Sequence, residues 1–255
     1  MKKERLDEAL VRLQYADTPE LARAIIMEGR VFQNGNRLDK PAILLASDVG
    51  LTVKGLKLEK AIAAFGLTFE GKTCMDVGSS TGGFTDCMLQ KGAQKVYAVD
   101  VGYGLLDWKL RNDPRVVVME RTNARLLNPE MTGGERMDFA SMDVSFISIR
   151  TVLPAVRTCM KENAHLAVLV KPQFEARREQ VGKGGIVRDP KVHREVLETV
   201  IAAMPAIGLV PQGLTVSPIK GVGGNTEFLL HLTNTELNDA AFQAERAIED
   251  VLRFV

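Results

Sequence analysis

The stretch Cys74-Met75-Asp76-Val77-Gly78-Ser79-Ser80-Thr81-Gly82-Gly83-Phe84-Thr85-Asp86 decides the fold of this 255-residue chain. Its first residues predict a buried strand, its last residues predict the start of a helix, and a glycine-rich loop joins them. Glycines permit positive φ angles and let the backbone approach a ligand closely. In open α/β sheets such loops lie at the carboxyl ends of strands, where ligands bind. The expected ligand-binding residues of this loop are Asp76, Gly78, Ser79, Ser80, Thr81, Gly82 and Gly83.

Outward from this loop, short apolar runs alternate with helix-length segments. The strand candidates are residues 73–77, 95–99, 116–120, 138–142, 164–170, 209–216 and 227–232. Right-handed crossovers between them predict a mainly parallel sheet with helices on both faces. Only residues 217–226 separate the last two candidates, which is short for a parallel crossover, so we expect these two strands to pair antiparallel. The pattern predicts an α/β, Rossmann-like, seven-stranded sheet with one antiparallel strand.

The start of the chain has a different pattern. Leu6, Leu10 and Leu13 recur at helical spacing, and Thr18-Pro19-Glu20 is typical of a helix start. Asn34-Gly35 is a tight-turn signal that predicts a small hairpin. We therefore expect a small α+β module over residues 1–45 with helix-helix-hairpin order, a linker over residues 46–56, and the sheet domain over residues 57–255.

The glycine loop narrows the class of ligand. It lacks the lysine of a phosphate-binding GxxxxGK[ST] loop and the GxGxxG spacing of a dinucleotide site, which disfavours a nicotinamide oxidoreductase. Asp100 ends the next strand about 20 residues on, where an acid accepts hydrogen bonds from ribose hydroxyls. Asp76 favours a ligand with positive charge and no phosphate. S-adenosylmethionine has an ammonium, a sulfonium and a ribose, so we expect it to be the cofactor.

Two lysines and two carboxylates stand near the same predicted sheet edge. Asp143 and Lys171 each follow a strand, Glu227 begins the last strand, and Lys57 precedes a helix that leads into the sheet. Ribose hydroxyls are very weak acids, so their methylation gains from a lysine that takes the proton or stabilises the alkoxide. Carboxylates can orient such lysines. The three cysteines form no CxxC pair, and we expect neither a metal site nor a disulfide.

Several motifs are similar to those of the TlyA family, whose members are FtsJ-like ribosomal-RNA 2′-O-methyltransferases that often bear the name hemolysin. The motifs are Arg5-Leu6-Asp7, Gly29-Arg30-Val31, Asn34-Gly35, Lys57-Leu58, the glycine loop, Asp143-Val144-Ser145-Phe146-Ile147-Ser148, Val170-Lys171-Pro172-Gln173-Phe174-Glu175 and Gly224-Asn225-Thr226-Glu227-Phe228-Leu229. The resemblance covers nearly the whole chain. One family motif, Ser-Arg-Gly-Gly, is replaced by Thr52-Val53-Lys54-Gly55-Leu56.

The resemblance implies a class I methyltransferase fold and S-adenosylmethionine-dependent 2′-O-methylation of cytidine in ribosomal RNA. It places a catalytic tetrad on Lys57, Asp143, Lys171 and Glu227, with Lys54 and Lys60 as alternatives for the first position. It places cofactor contacts on the glycine loop, Asp100 and Asn123. It also implies that the N-terminal module binds RNA, and the candidate contacts there are Arg5, Arg23 and Arg30.

Charge is nearly balanced, with 33 basic and 32 acidic residues. This excludes a protein that coats nucleic acid through a high overall positive charge, but it is compatible with a local basic face. Residues 171–194 hold seven lysines and arginines against three acids. A basic segment next to the predicted catalytic lysine suits phosphate contacts of RNA. The candidate contacts are Arg177, Arg178, Lys183 and Arg188.

Three further expectations concern location and competing functions. No apolar run approaches the ~18–20 residues that span a bilayer, and the first residues are charged rather than signal-like, so we expect a cytoplasmic protein without membrane contact. A non-catalytic RNA-binding or ribosome-assembly factor with the same fold is an open alternative. A membrane-lytic hemolysin is a disfavoured one, because the sequence shows no segment that would insert into lipid.

Overall fold

The computed structural model describes residues 3–13, 15–16, 18–27, 30–33, 36–46, 51–53, 55–235 and 242–255. By the density of their internal contacts, the residues form two compact units, Met1–Lys57 and Leu58–Val255.

The first unit combines two helices with short antiparallel strands. Its elements are β1 (Glu4–Arg5), α1 (Leu6–Arg12), α2 (Pro19–Met27), β2 (Val31–Gln33), β3 (Asn36–Leu38), β4 (Leu44–Leu45) and β5 (Leu51–Val53). Strand β2 pairs with β3 and β5, and β1 pairs with β4. The predicted hairpin is confirmed, because Gln33 and Asn36 are partners in it. Its turn residues Asn34 and Gly35, like Gly29, lie outside the described residues.

Strand β5 lies within residues 46–56, which the sequence analysis assigns to a linker. It pairs with β2 through Leu51, Thr52 and Val53, and Leu51 and Val53 are buried in the core of this unit. This corrects the linker prediction for residues 51–53. A run of three residues is too short to show a period of two, so the strand had no clear sequence signal. The domain limits themselves stay a prediction.

The second unit continues from helix α3 (Leu56–Phe65), which begins in the first. Its strands are β6 (Thr73–Val77), β7 (Lys95–Val99), β8 (Val116–Met119), β9 (Met137–Met142), β10 (Met160–Val170), β11 (Val210–Val216) and β12 (Phe228–Asn234). Its further helices are α4 (Gly83–Gln90), α5 (Trp108–Arg111), α6 (Ile149–Thr158), α7 (Pro172–Glu175), α8 (Pro190–Ile207) and α9 (Ala244–Leu252).

The seven strands form one sheet in the order β11-β12-β10-β9-β6-β7-β8. The five strands from β10 to β8 are parallel, whereas β12 runs antiparallel to both of its neighbours. The predicted seven-stranded sheet with one antiparallel strand is therefore confirmed.

Helices cover both faces of this sheet. Every residue of β6 is buried, as expected for a central parallel strand. Alternate side chains of β6 enter different cores: Cys74 packs in the cluster that holds Leu58 and Met88, and Met75 in the cluster that holds Leu153. Because β6, β7, β9 and β10 are parallel, their carboxyl ends lie at the same edge of the sheet. The loops at this edge carry the predicted site.

Candidate functional site

The glycine loop lies directly on the neighbouring strand end. The Gly78 and Ser79 N–H groups donate to the Val99 carbonyl at 2.8 and 3.1 Å, and Gly78 has a φ of +81°. A Cβ at Gly78 would lie 2.4 Å from the backbone oxygen of Asp143. The loop backbone thus approaches Asp143 more closely than any residue with a side chain would allow.

The Asp76 side chain holds this loop in place through hydrogen bonds. Its Oδ2 accepts hydrogen bonds from the Thr85 N–H at 2.9 Å and the Thr85 hydroxyl at 2.7 Å, and its Oδ1 accepts one from Ser141 at 3.0 Å. Burial raises the pKa of Asp76 to about 6, although these hydrogen bonds oppose the shift. Both carboxylate oxygens are used inside the protein. The structure therefore assigns Asp76 a positioning role, whereas direct cofactor contact by Asp76 stays a prediction.

Asp100 connects the glycine loop to the loop after β7. Its carboxylate accepts hydrogen bonds from the Ser80 N–H and the Gly102 N–H, both at 2.7 Å. Its backbone oxygen accepts one from the Thr122 N–H at 2.9 Å. The next residue, Asn123, is exposed, and its Oδ1 accepts a hydrogen bond from Arg125 N–H at 3.1 Å. The predicted cofactor residues thus lie on three adjacent strand-end loops.

These loops fit S-adenosylmethionine better than a phosphate-bearing nucleotide. Residues 78–83 contain no lysine or arginine to neutralise a phosphate. Asp100 is half-buried at the strand end where an acid binds a ribose, and Ser80 and Thr81 are exposed beside it. Contact of Asp100 with the ribose, and of the glycine loop with the cofactor, stays a prediction.

Lys171 and Asp143 meet at this edge, as the sequence predicts. Lys171 Nζ lies 2.6 Å from Asp143 Oδ1 and donates to the Ser145 hydroxyl at 2.9 Å. Only 8% of Lys171 is exposed. Pro172 starts α7 directly after it and keeps Lys171 in an extended conformation. A buried ammonium with an adjacent carboxylate can hold or pass a proton at a fixed position.

Glu227 stands beside Lys171 through the strand register. Strands β10 and β12 pair Val170 with Phe228, so Lys171 and Glu227 occupy the next positions on neighbouring strands. Glu227 is buried, and a Cβ at Gly221 would lie 2.1 Å from its Oε1. The backbone of Gly221 therefore packs against the Glu227 carboxylate. Three members of the predicted tetrad converge on one sheet edge.

The fourth member, Lys57, lies in the first turn of α3 and belongs to the first unit. Its side chain is partly buried, and it has an interaction partner. Its place in the tetrad stays a prediction. Of the two alternatives for this position, Lys60 lies one turn further along α3, and Lys54 lies outside the described residues.

A pair of aromatic residues, the exposed Phe146 and the partly buried Phe174, adjoins Lys171. Phe146 is 91% exposed and has a φ of +63°, which is unfavourable for a residue with a side chain. Its ring contacts Phe174 with centroids 5.1 Å apart, and Lys171 Nζ lies 6.0 Å from the Phe174 centroid. Strain of this kind persists only where the surrounding structure imposes it, and it is frequent at functional sites.

Sequence reasoning missed three residues that build this edge. Ser145 binds Lys171, and the buried Glu175 accepts hydrogen bonds from the Ser148 hydroxyl and the Ile149 N–H, both at 2.7 Å. Glu175 thereby joins the segment after Lys171 to the start of α6, and burial raises the pKa of its carboxyl group. Phe146 is the third. All three stood in the quoted motifs, which was the available signal.

The basic segment after Lys171 is exposed and partly ordered by a tight turn. Arg177, Arg178, Lys183 and Arg188 are exposed. Arg177 forms long ion pairs with Glu179 at 3.5 Å and Glu195 at 3.8 Å. The Gly182 N–H donates to the Ile186 carbonyl at 2.9 Å and closes the turn that carries Lys183. Contact between these cations and RNA stays a prediction.

The candidate RNA contacts of the first unit are tied into that unit. Arg5 donates two hydrogen bonds to Asp7, at 2.9 and 2.8 Å, and Arg23 donates one at 3.1 Å. The hydrogen bonds from Arg5 lower the pKa of the buried Asp7 to about 2 despite its burial. Arg30 is 9% exposed. Arg5 and Arg23 keep half-exposed side chains, so a role in RNA binding remains a prediction for them.

Two kinds of feature are absent from the described part of the chain. No helix there combines the length and the apolar composition that a membrane span needs. No group of three or more His, Cys, Asp or Glu side chains in the same residues has the arrangement of a metal site.

Comparison with known proteins places these features in a family. The profile of the FtsJ-like methyltransferases matches residues 54–234, and that of the S4 domain matches residues 4–48. A Bacillus subtilis protein named "Putative rRNA methyltransferase YqxC" is 54% identical over 241 residues, covering 91% of this chain and 86% of its own. The "16S/23S rRNA (cytidine-2'-O)-methyltransferase TlyA" of Mycobacterium tuberculosis is 42% identical over 262 residues, covering 98% and 96%.

A solved structure, the "Putative hemolysin from Streptococcus thermophilus", has a TM-score of 0.76 and 43% identity, covering 99% of this chain and 97% of its own. The FtsJ-like match contains the glycine loop, Asp143, Lys171 and Glu227. It confirms the predicted enzyme class, a methyltransferase, and agrees with S-adenosylmethionine as methyl donor. The chain belongs to the FtsJ-like methyltransferase family, with an S4 domain at its N-terminal side and TlyA proteins among its relatives.

Proposed function

We propose that this protein transfers a methyl group from S-adenosylmethionine to the ribose 2′-hydroxyl of a cytidine in ribosomal RNA. The observation that carries the proposal is the 2.6 Å contact between the buried Lys171 and the half-buried Asp143, on the sheet edge where the glycine loop packs against Asp143. The relatives named as ribosomal-RNA methyltransferases support the RNA class, and the name of TlyA supports cytidine.

The cofactor supplies a methyl group on a positively charged sulfur, which makes the carbon open to attack by an oxygen. The side chains of the protein handle the proton and the charge on that oxygen. Lys171 passes a proton to Asp143 Oδ1 along their 2.6 Å contact and takes the hydroxyl proton in return. The ribose oxygen would form its bond to the methyl carbon as the C–S bond of the donor breaks, and Asp143 would end with the proton.

Burial and hydrogen bonds keep this pair in place. Ser145 accepts from Lys171 Nζ at 2.9 Å, and the Asp143 N–H donates to the Val77 carbonyl at 2.9 Å. Glu227 adds a buried carboxylate beside Lys171, and we assign Lys57 the orientation of the ribose. Preorganised charge in a site of low water content stabilises a developing alkoxide without reorganisation.

The RNA needs contacts beyond the Lys171–Asp143 pair. We assign phosphate contacts to Arg177, Arg178, Lys183 and Arg188, and base stacking to Phe146, which is exposed beside Lys171. We assign the S4 domain a second contact with the RNA of a ribosomal subunit, through the half-exposed Arg5 and Arg23. A protein with this substrate would act in the cytoplasm.

The experiment that tests the proposal incubates purified protein with unmethylated ribosomal RNA, free or in subunits, and S-adenosylmethionine. Nuclease digestion and mass spectrometry then locate the added mass. We expect a 2′-O-methylcytidine, recognised by an alkali-resistant linkage on its 3′ side. Methylation on a base, or RNA binding without any methyl transfer, would contradict the proposal; the second result would support a non-catalytic assembly factor.

A further inference from the structure

The turn of the basic segment is fastened to the loop that carries Glu227 by one buried side chain, Asn225. The Asn225 Oδ1 accepts a hydrogen bond from the Val187 N–H at 2.9 Å, and its Nδ2 donates to the Gly185 carbonyl at 3.0 Å. Asn225 and Val187 are each 2% exposed. The amide group therefore uses its donor and its acceptor on one short stretch of backbone, which a carboxylate or an apolar side chain would not reproduce.

A second side chain holds the same stretch. The His193 Nε2–H donates to the Val187 carbonyl at 3.1 Å, and the buried His193 ring packs edge-on against Phe228 at 5.7 Å. Both backbone polar groups of Val187 are thus bound by side chains. Lys183 and Arg188, which flank this stretch, remain exposed.

The other end of the clamp reaches the catalytic edge. The Asn225 carbonyl accepts a hydrogen bond from the Gly221 N–H at 2.8 Å, and Gly221 packs against the Glu227 carboxylate. The Ile186 side chain lies over Gly223 of the same loop. Only Thr226 lies between Asn225 and Glu227, so the turn has a fixed place relative to the predicted catalytic carboxylate.

We propose that Asn225 is a positioning residue that holds the turn at residues 182–188 beside the Glu227 loop, so that Lys183 and Arg188 present their charges to the RNA backbone. The inference rests on the proposed function for its ligand, RNA. It predicts that loss of the clamp weakens RNA binding while the chemistry at Lys171 continues once RNA is bound.

The test compares Asn225→Ala with wild type in the full chain, with unmethylated ribosomal RNA as the probe. Each phosphate contact contributes about fivefold to affinity at 0.15 M salt, so withdrawal of both cations should raise the Kd for RNA by about 15- to 30-fold. The slope of log Kd against log salt should fall by about 1 to 2. We expect the KM for RNA to rise likewise, with kcat at saturating RNA within about twofold of wild type.

Two variants make the test specific. In a Lys183→Ala/Arg188→Ala background, Asn225→Ala should add little, because the cations through which it acts are absent. Asn234→Ala is the matched control: this asparagine also binds a backbone carbonyl, that of Lys161, but at the opposite end of β12. His193→Phe keeps a ring against Phe228 but loses the bond to Val187, and should weaken RNA binding in the same direction.

An unchanged Kd and salt slope in both Asn225→Ala and His193→Phe would overturn the clamp, as would a loss confined to kcat. The clamp would also be overturned if Asn225→Ala weakened RNA binding as much in the Lys183→Ala/Arg188→Ala background as in the wild type. The Kd for RNA is measured without turnover. An inactive wild-type protein would therefore refute the proposed function, and the Kd values of the variants would still test the clamp.

Discussion

Gly78 gives the sharpest prediction, because its contact with Asp143 links the glycine loop to the catalytic pair. In Gly78→Ala the new Cβ would lie 2.4 Å from the Asp143 backbone oxygen, so that strand end must retreat by about 1 Å to reach ordinary contact distance. A displacement of about 1 Å in a catalytic group costs about 100-fold in rate, or ~2.7 kcal/mol of transition-state stabilisation. The φ of +81° adds about 1 kcal/mol of backbone strain to the folded state.

The assay is single-turnover methyl transfer at saturating cofactor and RNA, so that weaker binding does not masquerade as slower chemistry. Gly71→Ala is the control, because Gly71 also has a positive φ, +68°, but has no atom within 4 Å of the added carbon. We expect backbone strain to lower the stability of both variants by a similar amount in thermal unfolding. Only Gly78→Ala should also lose about 100-fold in rate. A wild-type rate in Gly78→Ala, or an equal loss in Gly71→Ala, would refute the reasoning.

Three further predictions concern other parts of the molecule. Arg5 lowers the pKa of Asp7 to about 2, so the ion pair of Asp7 stabilises the fold by about 2 kcal/mol above pH ~4, and this contribution disappears between pH 4 and 2. Asp7→Asn should lack this part of the pH dependence of the unfolding free energy, measured by denaturant titration. Asp76→Asn should weaken S-adenosylmethionine binding by calorimetry about tenfold at pH 8, because an amide has only one oxygen and cannot accept from both Thr85 and Ser141. The difference should shrink below pH 6, where the wild-type carboxyl is itself protonated. Phe146→Gly should leave the melting temperature unchanged or higher, since it relieves a positive φ, yet raise the KM for RNA about tenfold through lost stacking; an unchanged KM would remove Phe146 from the RNA site.

The sequence predicts the sheet well because its signals are local. The glycine loop, the buried run of β6 and the short connection between β11 and β12 each follow from neighbouring residues. The convergence of Asp143 and Lys171 is also predictable, since residues that follow parallel strands of one sheet meet at one edge.

The partners of the site residues were not predictable, because contacts between residues distant in sequence decide them. The expected contact of Asp76 with the cofactor stays a prediction, but the hydrogen bonds that its oxygens accept from Thr85 and Ser141 were not foreseen. The clamp of Asn225 on Val187 joins residues 38 positions apart. Nothing in the local pattern of either segment shows such a pairing.

The first unit shows the same limit. Arg5 and Arg23 were candidate RNA contacts, and both donate to the buried Asp7. Arg5 reaches Asp7 from two residues away, whereas Arg23 reaches it because α2 packs against α1. Strand β5 was overlooked for a related reason: its three residues acquire meaning only beside β2.

The central claim, that Lys171 and Asp143 handle the proton of the ribose hydroxyl, is tested most directly by one comparison of methyl-transfer rates. Lys171→Ala is compared with Lys161→Ala, because Lys161 Nζ also forms an ion pair, with Asp138 at 2.8 Å. That pair joins the same two strands, β10 and β9, but near their amino ends. At saturating cofactor and RNA, we expect Lys171→Ala to lose at least about 1000-fold in rate with unchanged S-adenosylmethionine affinity, and Lys161→Ala to transfer methyl groups at the wild-type rate. Equal rates in the two variants would contradict the account.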